Sequence, residues 1–310
     1  MQSFLLRRFG VALLTVWVTT IAVALLTRLV PGDPIEIMFA QSAGATREQM
    51  LAMQARLGLD RNVVAQYFLY LGNLLQGDFG RTIQGGQPVL PLIMQRLPNT
   101  LWLASTALVI ASIAGVTLGF FAAYKKGTWV EHVLMTSTVM GISIPPFWLG
   151  LILLMVFGMQ LGWFPVAGAG WHALVLPAVT LAATNAAIIG RLTRSSMLEV
   201  FEQEFMRTAW SKGLPKTTVL SRHALRAGLV PVVSAMGVQF AYMMGGAIVV
   251  EYIFSWNGMG TLAVDAILRR DYPLIQGFIL VFSVVVVCIS LLLDVIYAAL
   301  DPRIRQGGDS

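Results

Sequence analysis

Three histidines, His132, His172 and His223, are the first residues to test for metal ligation or proton transfer. They lie far apart, and none belongs to an H-E-x-x-H pair, whose spacing would set two imidazoles on one helix face. The single cysteine, Cys288, sits inside an apolar run, so neither a disulfide framework nor a multi-thiolate metal or iron–sulfur centre can be built. A Gly-x-x-x-x-Gly-Lys-Ser/Thr phosphate loop needs a lysine preceded by glycine, and neither Lys212 nor Lys216 has one. No catalytic residue, metal ligand or nucleotide site is therefore expected. Ser143, Ser283, Ser290 and Asp294 leave an intramembrane hydrolase formally open. The simpler reading is preferred: hydroxyls in apolar helices bond back to a carbonyl one turn earlier, and Asp294 falls near a membrane interface.

The segment with the most specific patterning runs from Arg191 to Val230. Met197, Leu198, Phe201, Phe205 and Ala209 recur at three- and four-residue spacing, with Glu199, Glu202, Gln203 and Arg207 on other faces, which predicts one amphipathic helix. Gly213 follows where a helix needs a left-handed C-terminal residue, and Pro215 opens a second helix at a position that tolerates its missing N–H. On that second helix Arg222 and Arg226 stand one turn apart with Lys216 before them, a basic face that ends where Pro231 begins the next apolar run. Helix, sharp turn, helix is the expected form. A solvated or headgroup-binding basic loop is the alternative, but it has no need of a glycine-centred bend.

Apolar runs must position that segment. Of 310 residues, 57% are hydrophobic and only 12% charged, against about 25% charged in an ordinary soluble domain; the mean hydropathy is +0.75. Because roughly 20 apolar residues cross a bilayer core as a helix, six stretches qualify: Phe9 to Leu29, Thr100 to Ala123, Val133 to Gln160, Leu174 to Gly190, Leu229 to Val250 and Leu274 to Leu293. Strands are excluded, since open sheet edges cannot face lipid and the runs lack barrel alternation. The net charge is +6, but the basic residues sit in short loops between apolar runs, which points to a membrane surface and away from nucleic acid.

Those residues also set orientation. One side holds Arg7, Arg8, Lys125, Lys126, Arg191, Arg194, Arg207, Lys212, Lys216, Arg222, Arg226, Arg303 and Arg305; the last short loop of the other holds only Arg269 and Arg270. Arg47, Arg56, Arg61, Arg81 and Arg96 lie in the loop from Val30 to Asn99, longer than the roughly 60 residues over which basic side chains govern topology. Both termini are therefore expected in the cytoplasm, with Arg28 snorkelling from the end of the first helix. No small-x-small cleavage site precedes Pro31, so the first helix is expected to remain.

Within the membrane, Pro145-Pro146 must interrupt the third span, and freed backbone groups at that depth require protein or a water-filled cavity to accept them. Phe147 and Trp148 beside the break are placed to gate a path. Asn185 on the fourth span and Gln239, Gly245 and Gly246 on the fifth are the other candidates to line one. Helix packing competes evenly with pore lining on the fifth span and is preferred elsewhere, including Gly115 and Gly119 at GxxxG spacing.

Glu204-Phe-Met-Arg-Thr-Ala-Trp-Ser-Lys-Gly-Leu214, followed by Arg222-His-Ala-Leu-Arg226 and Pro231, resembles the cytoplasmic "EAA" loop of ABC importer permeases in the dipeptide, oligopeptide and nickel branch. Pro31-Gly-Asp-Pro34, Gly77-Asp-Phe-Gly80, Arg96-Leu-Pro-Asn-Thr-Leu101 and Arg270-Asp-Tyr-Pro273 match in order and in placement, so the resemblance spans nearly the whole chain. By position Arg207, Thr208 and Ala209 stand where the general pattern has Glu-Ala-Ala. Arg207 and the late Pro231 are similar to the peptide and nickel branch, whereas Gly228 replaces its frequent asparagine.

The resemblance implies an all-α integral membrane protein of type I ABC importer form, with six transmembrane helices, a partly helical extracytoplasmic loop domain and a cytoplasmic coupling helix. It divides into a cytoplasmic start and first helix (1–30), the extracytoplasmic domain (31–99), a five-helix core (100–300) with its coupling loop (191–230), and a tail (301–310). In the extracytoplasmic domain, helices are expected over Thr46 to Leu57 and Asn62 to Gln76, forming a cap on the helix ends. The coupling loop, with Glu204, Arg207, Thr208, Ala209, Lys212, Gly213, Leu214, Arg222, His223 and Arg226, would dock on an ATPase subunit. Asp33, Glu36 and Asp78 are candidates for touching a substrate-binding protein. Implied partners are a second, similar permease, two ATP-binding cassette subunits that hold ATP and Mg, and that extracytoplasmic binding protein; the chain would be non-catalytic and hold no cofactor itself. Dipeptides or oligopeptides are the expected cargo, with nickel chelates and glutathione as competitors. A stand-alone secondary transporter or channel is the rival of another class, although such proteins usually carry paired intramembrane charges.

Overall fold

The computed structural model describes residues 2–29, 62–83, 85–168 and 170–300. Helices account for nearly all of them, because a backbone in lipid must satisfy its own N–H and C=O groups. In order they are α1 (Gln2–Leu29), α2 (Val63–Leu75), α3 (Val89–Tyr124), α4 (Trp129–Ser143), α5 (Pro146–Gln160), α6 (Trp171–Phe201), α7 (Glu204–Ser211), α8 (Lys216–Ile253), α9 (Met259–Leu268) and α10 (Tyr272–Leu300). Five of these are unbroken and apolar enough to cross a membrane, and α4 with α5 makes a sixth span bent by 99°. The expected six-span, all-helical fold is thus the observed one. The expected helix from Thr46 to Leu57, with Asp33 and Glu36, lies outside the described residues.

Most spans extend beyond their apolar runs. α3 begins at Val89 instead of Thr100 and passes through Pro98. Val89 and Ile93, one turn apart, are fully buried there and pack where Gly277 of α10 has no side chain. The second helix of the Arg191–Val230 segment and the fifth span, expected to be separated at Pro231, are instead one helix, α8, of 38 residues. Pro231 forfeits a single backbone bond, which a membrane helix tolerates, and the helix also holds a π-helical stretch at Val219–Ala224.

The chain divides into two compact units, one from Met1–Pro98 with Thr261–Leu291 and the other from Asn99–Gly260 with Leu292–Ser310. In the first, polar side chains tie helices together: Thr19 and Ser283 hydroxyls are 3.2 Å apart, Thr20 and Tyr67 hydroxyls 3.0 Å apart, and Gln276 Nε2 donates to Val23 O at 2.9 Å. In the second, α6 is the central helix, packed on α4, α5 and α8. Gly115 and Gly119 of α3 let its backbone approach α6 so closely that a methyl at Gly115 would stand 2.6 Å from Ala186 O. Packing is therefore their role, as small residues at GxxxG spacing favour.

Candidate functional site

The patterned segment forms a compact bent element. α6 stops at Phe201, Glu202 and Gln203 turn the chain, and Gln203 in extended conformation (φ −73°, ψ 149°) starts α7. The one continuous helix expected from periodicity is thus two. The break resets the helical phase, so Met206 points inward beside Ala209 while Phe205, expected on the apolar face, is 38% exposed. Met206 and Ala209 bury against Val200 of α6 and Val219 and Ala224 of α8, with Phe201, Leu214 and Ala227 around them. This apolar knot fixes α7 to two spans at once.

Gly213 has φ +71°, and its N–H donates to Trp210 O at 3.0 Å. It is the left-handed C-terminal residue the sequence predicts, and Pro215 directly precedes the first turn of α8. The face of α7 turned away from the knot carries Glu204, Phe205, Arg207, Thr208 and Trp210, with Trp210 44% exposed, and Lys212 follows. Arg222 and Arg226 are exposed on α8, and His223 is half-buried. The arrangement presents aromatic and cationic side chains on a stiff support, which suits docking and offers no catalytic group.

At the other end of α4, Ile144 and Pro145 are extended and the helix restarts at Pro146. Pro145 cannot donate to Gly141 O, and the Thr184 hydroxyl of α6 bonds that carbonyl at 3.3 Å. Protein thus accepts the freed group. Phe147 and Trp148 are exposed on α5 directly after the bend. Asn185 is buried and bonds its own helix at Leu181 O (2.9 Å). Gln239 is half-buried, Gly245 has open space beside it, and Gly246 faces Leu181.

In the first unit, Asp78 is exposed and its carboxylate accepts the Gly80 N–H at 2.8 Å, closing the turn of Gly77-Asp-Phe-Gly80. Asp271, of Arg270-Asp-Tyr-Pro273, is buried; it accepts Leu274 N at the start of α10 and Ile83 N at 2.9 Å.

Two buried carboxylates escaped sequence reasoning. Glu131, near the start of α4, takes Arg194 of α6 and the Gly127 N–H. Glu251, near the end of α8 and fully buried, takes the Gly260 N–H at 2.6 Å, and a side chain at Gly258 would collide with it. Beside it, Trp256 Nε1 donates to Asn99 O, Asn99 Nδ2 to Asn257 O, and Met259 N to the Thr100 hydroxyl. An acidic residue in an apolar run, followed closely by glycines, was the available signal for Glu251.

Fold and site together define a multi-pass helical membrane protein with a compact bent element between two of its spans. The family model for the binding-protein-dependent transport system inner membrane component matches residues 115–306, and the model for the N-terminal part of such membrane components matches residues 1–104. The glutathione transport system permease protein GsiC of Escherichia coli (strain K12) is 40% identical over 306 residues, covering 98% of this chain and 99% of that protein. GsiC of Shigella dysenteriae serotype 1 (strain Sd197) is similar to the same extent. Among solved structures, the crystal structure of an amino acid ABC transporter with histidines aligns with a TM-score of 0.53 at 18% identity, over 67% of this chain and 94% of that one. The chain belongs to the family of binding-protein-dependent transport system inner membrane components. It is a non-catalytic permease subunit of an ABC importer, an inner-membrane protein that works with ATPase and substrate-binding partners. Membership in that family decides against the stand-alone transporter or channel.

Proposed function

We propose that this permease carries short peptides of the glutathione class into the cytoplasm. The observation that carries this reading is the 40% identity, over almost the full length of both chains, to the glutathione permease GsiC. Glutathione is itself a tripeptide, so the expected peptide cargo and the glutathione alternative converge on one chemistry. Nickel chelates are the competing cargo. In cells lacking the gene, uptake of labelled glutathione is expected to fall at least tenfold, while nickel uptake stays unchanged. Loss of nickel uptake alone would reassign the cargo, and loss of dipeptide uptake alone would shift it to that class.

Both termini and the α6–α8 turn lie on the cytoplasmic side in this reading, supported by the basic residues concentrated there. α7 is the coupling helix. Its outward Glu204, Phe205, Arg207, Thr208 and Trp210, with Lys212, Arg222, His223 and Arg226 beside it, meet an ATPase subunit, while Ala209, Gly213 and Leu214 hold its shape. Two ATPase subunits bind ATP and Mg, and a second, similar permease completes the pathway. Phe147, Trp148, Gln239, Gly245 and Gly246 face that pathway, and the Pro145–Pro146 bend gates it; Asn185 serves packing. Asp33, Glu36 and Asp78 belong to the surface that meets the extracytoplasmic binding protein.

Exposed aromatic side chains at an interface commonly supply about 2 kcal/mol each, or roughly thirtyfold in affinity. Phe205→Ser with Trp210→Ser is therefore expected to strip the ATPase subunits during purification of the complex. Retention of both ATPases through the same washes would refute docking on this face.

A further inference from the structure

α4 lies antiparallel along α6 in a single register. Glu131 meets Arg194, the Thr138 methyl packs at Gly190, and Gly141 meets Ala187 and Thr184. Small residues provide the close approach in the middle, and polar links close both ends. At the bend, the Thr184 hydroxyl holds the carbonyl that Pro145 leaves without a donor. At the start, Glu131 is 6% exposed, and its Oε1 accepts Arg194 Nε at 2.8 Å and also Arg194 Nη2. Its Oε2 accepts the Gly127 N–H at 2.6 Å. The carboxylate is covered and its arginine partner is 31% exposed, so parting them leaves a covered charge without its counter-ion and resists separation of this end of α4 from α6.

Along α6, Arg194 is six residues before Val200, about 9 Å of helix. Val200 belongs to the apolar knot under α7. Lys126 Nζ, in the turn before α4, lies 3.4 Å from Glu202, two residues before α7, an exposed pair that adds little to this link. A displacement of α7 therefore passes through Val200 into α6. From Arg194 it passes into the start of α4, and about 20 Å further along that helix it reaches the Ile144–Pro145 bend.

We propose that the Glu131–Arg194 pair is a coupling determinant of transport: it binds α4 to α6 so that motion imposed on α7 by the ATPase reaches the bend in the third span. This rests on the reading of α7 as the ATPase-docking helix. The pair touches neither substrate nor nucleotide; both are positioning residues, and their removal should separate ATP hydrolysis from uptake.

The test is glutathione uptake per ATP hydrolysed by the complete complex in proteoliposomes. Glu131→Gln keeps the shape and a carbonyl acceptor for Gly127 but discards the charge. It is expected to retain at least half of the ATPase rate while uptake per ATP falls about tenfold, within the usual range of coupling energies. A normal ratio in E131Q overturns the proposal. If E131Q fails to assemble, Arg194→Lys keeps the charge and gives up the two-pronged contact; a several-fold lower ratio is expected, and a normal one overturns the proposal. The Phe205→Ser, Trp210→Ser variant separates the two readings. If it keeps its ATPases, docking on α7 has failed; if it loses them while E131Q couples normally, only the role of the pair has failed.

Discussion

Gly213→Val is expected to leave the complex in the membrane with its ATPase active, and to cut glutathione uptake per ATP by roughly five- to thirtyfold. A left-handed conformation costs an L-residue about 1–2 kcal/mol, and a β-branched side chain is the least suited to it. Position 213 has φ +71°, and nothing lies within 4 Å of where a Cβ would stand. The penalty is therefore purely conformational, and it acts on the turn between α7 and α8. The knot of Met206, Ala209, Val219 and Ala224 opposes unfolding of the turn, so the strain is expected to fall on the angle that α7 makes with α8. Asn, which tolerates this backbone, should behave almost as glycine does, and Ala should fall between. A graded loss in the order Asn, Ala, Val, read as uptake per ATP, is the expected signature. Equal ratios in all three would mean that the bend does not transmit force.

That prediction draws on a residue legible in sequence, and the reason is local. Gly213 sits between a periodic segment and a proline, so the turn is specified within a few residues. The Pro145–Pro146 bend is legible for the same reason: two consecutive residues lack N–H donors, and no partner elsewhere is needed to foresee the break. Spans are legible because lipid demands about 20 apolar residues wherever the chain crosses. Their ends are not. α3 starts at Val89, well before its apolar run, and α8 joins the expected second helix of the bent segment to the fifth span straight through Pro231. Periodicity misassigned Phe205 because a break at Glu202–Gln203 shifts the phase, and nothing in the spacing marks that break. Glu131 was the least legible of all, since its partner is 63 residues away and either residue alone reads as a solvated loop charge. Glu251 closes on Gly260 through a tight turn whose shape only the fold displays.

Gly119→Leu is expected to have the largest effect on the amount of folded protein. Leucine is a better helix former than glycine by close to 1 kcal/mol, so any loss must arise from packing. A Cβ at position 119 would stand 2.6 Å from Thr193 Cβ and 3.0 Å from Arg194 N, and it would collide with Gly190 O. Backbone atoms cannot swing aside as a flexible side chain can, so α3 and α6 must separate. Overpacking of this kind costs about 1–3 kcal/mol, and a clash with backbone belongs at the upper end. Gly10→Leu makes the same chemical change on α1, where nothing lies within 4 Å, and should gain up to about 1 kcal/mol from helix propensity. Melting of the two purified variants in detergent should therefore separate sharply, with Gly119→Leu destabilised by about 3 kcal/mol and Gly10→Leu melting no earlier than the parent protein. The clash also falls on Arg194, the partner of Glu131, so protein that survives Gly119→Leu should show the lowered uptake per ATP of E131Q. If it melts early yet couples normally, the α3–α6 contact stabilises the fold without setting the position of Arg194.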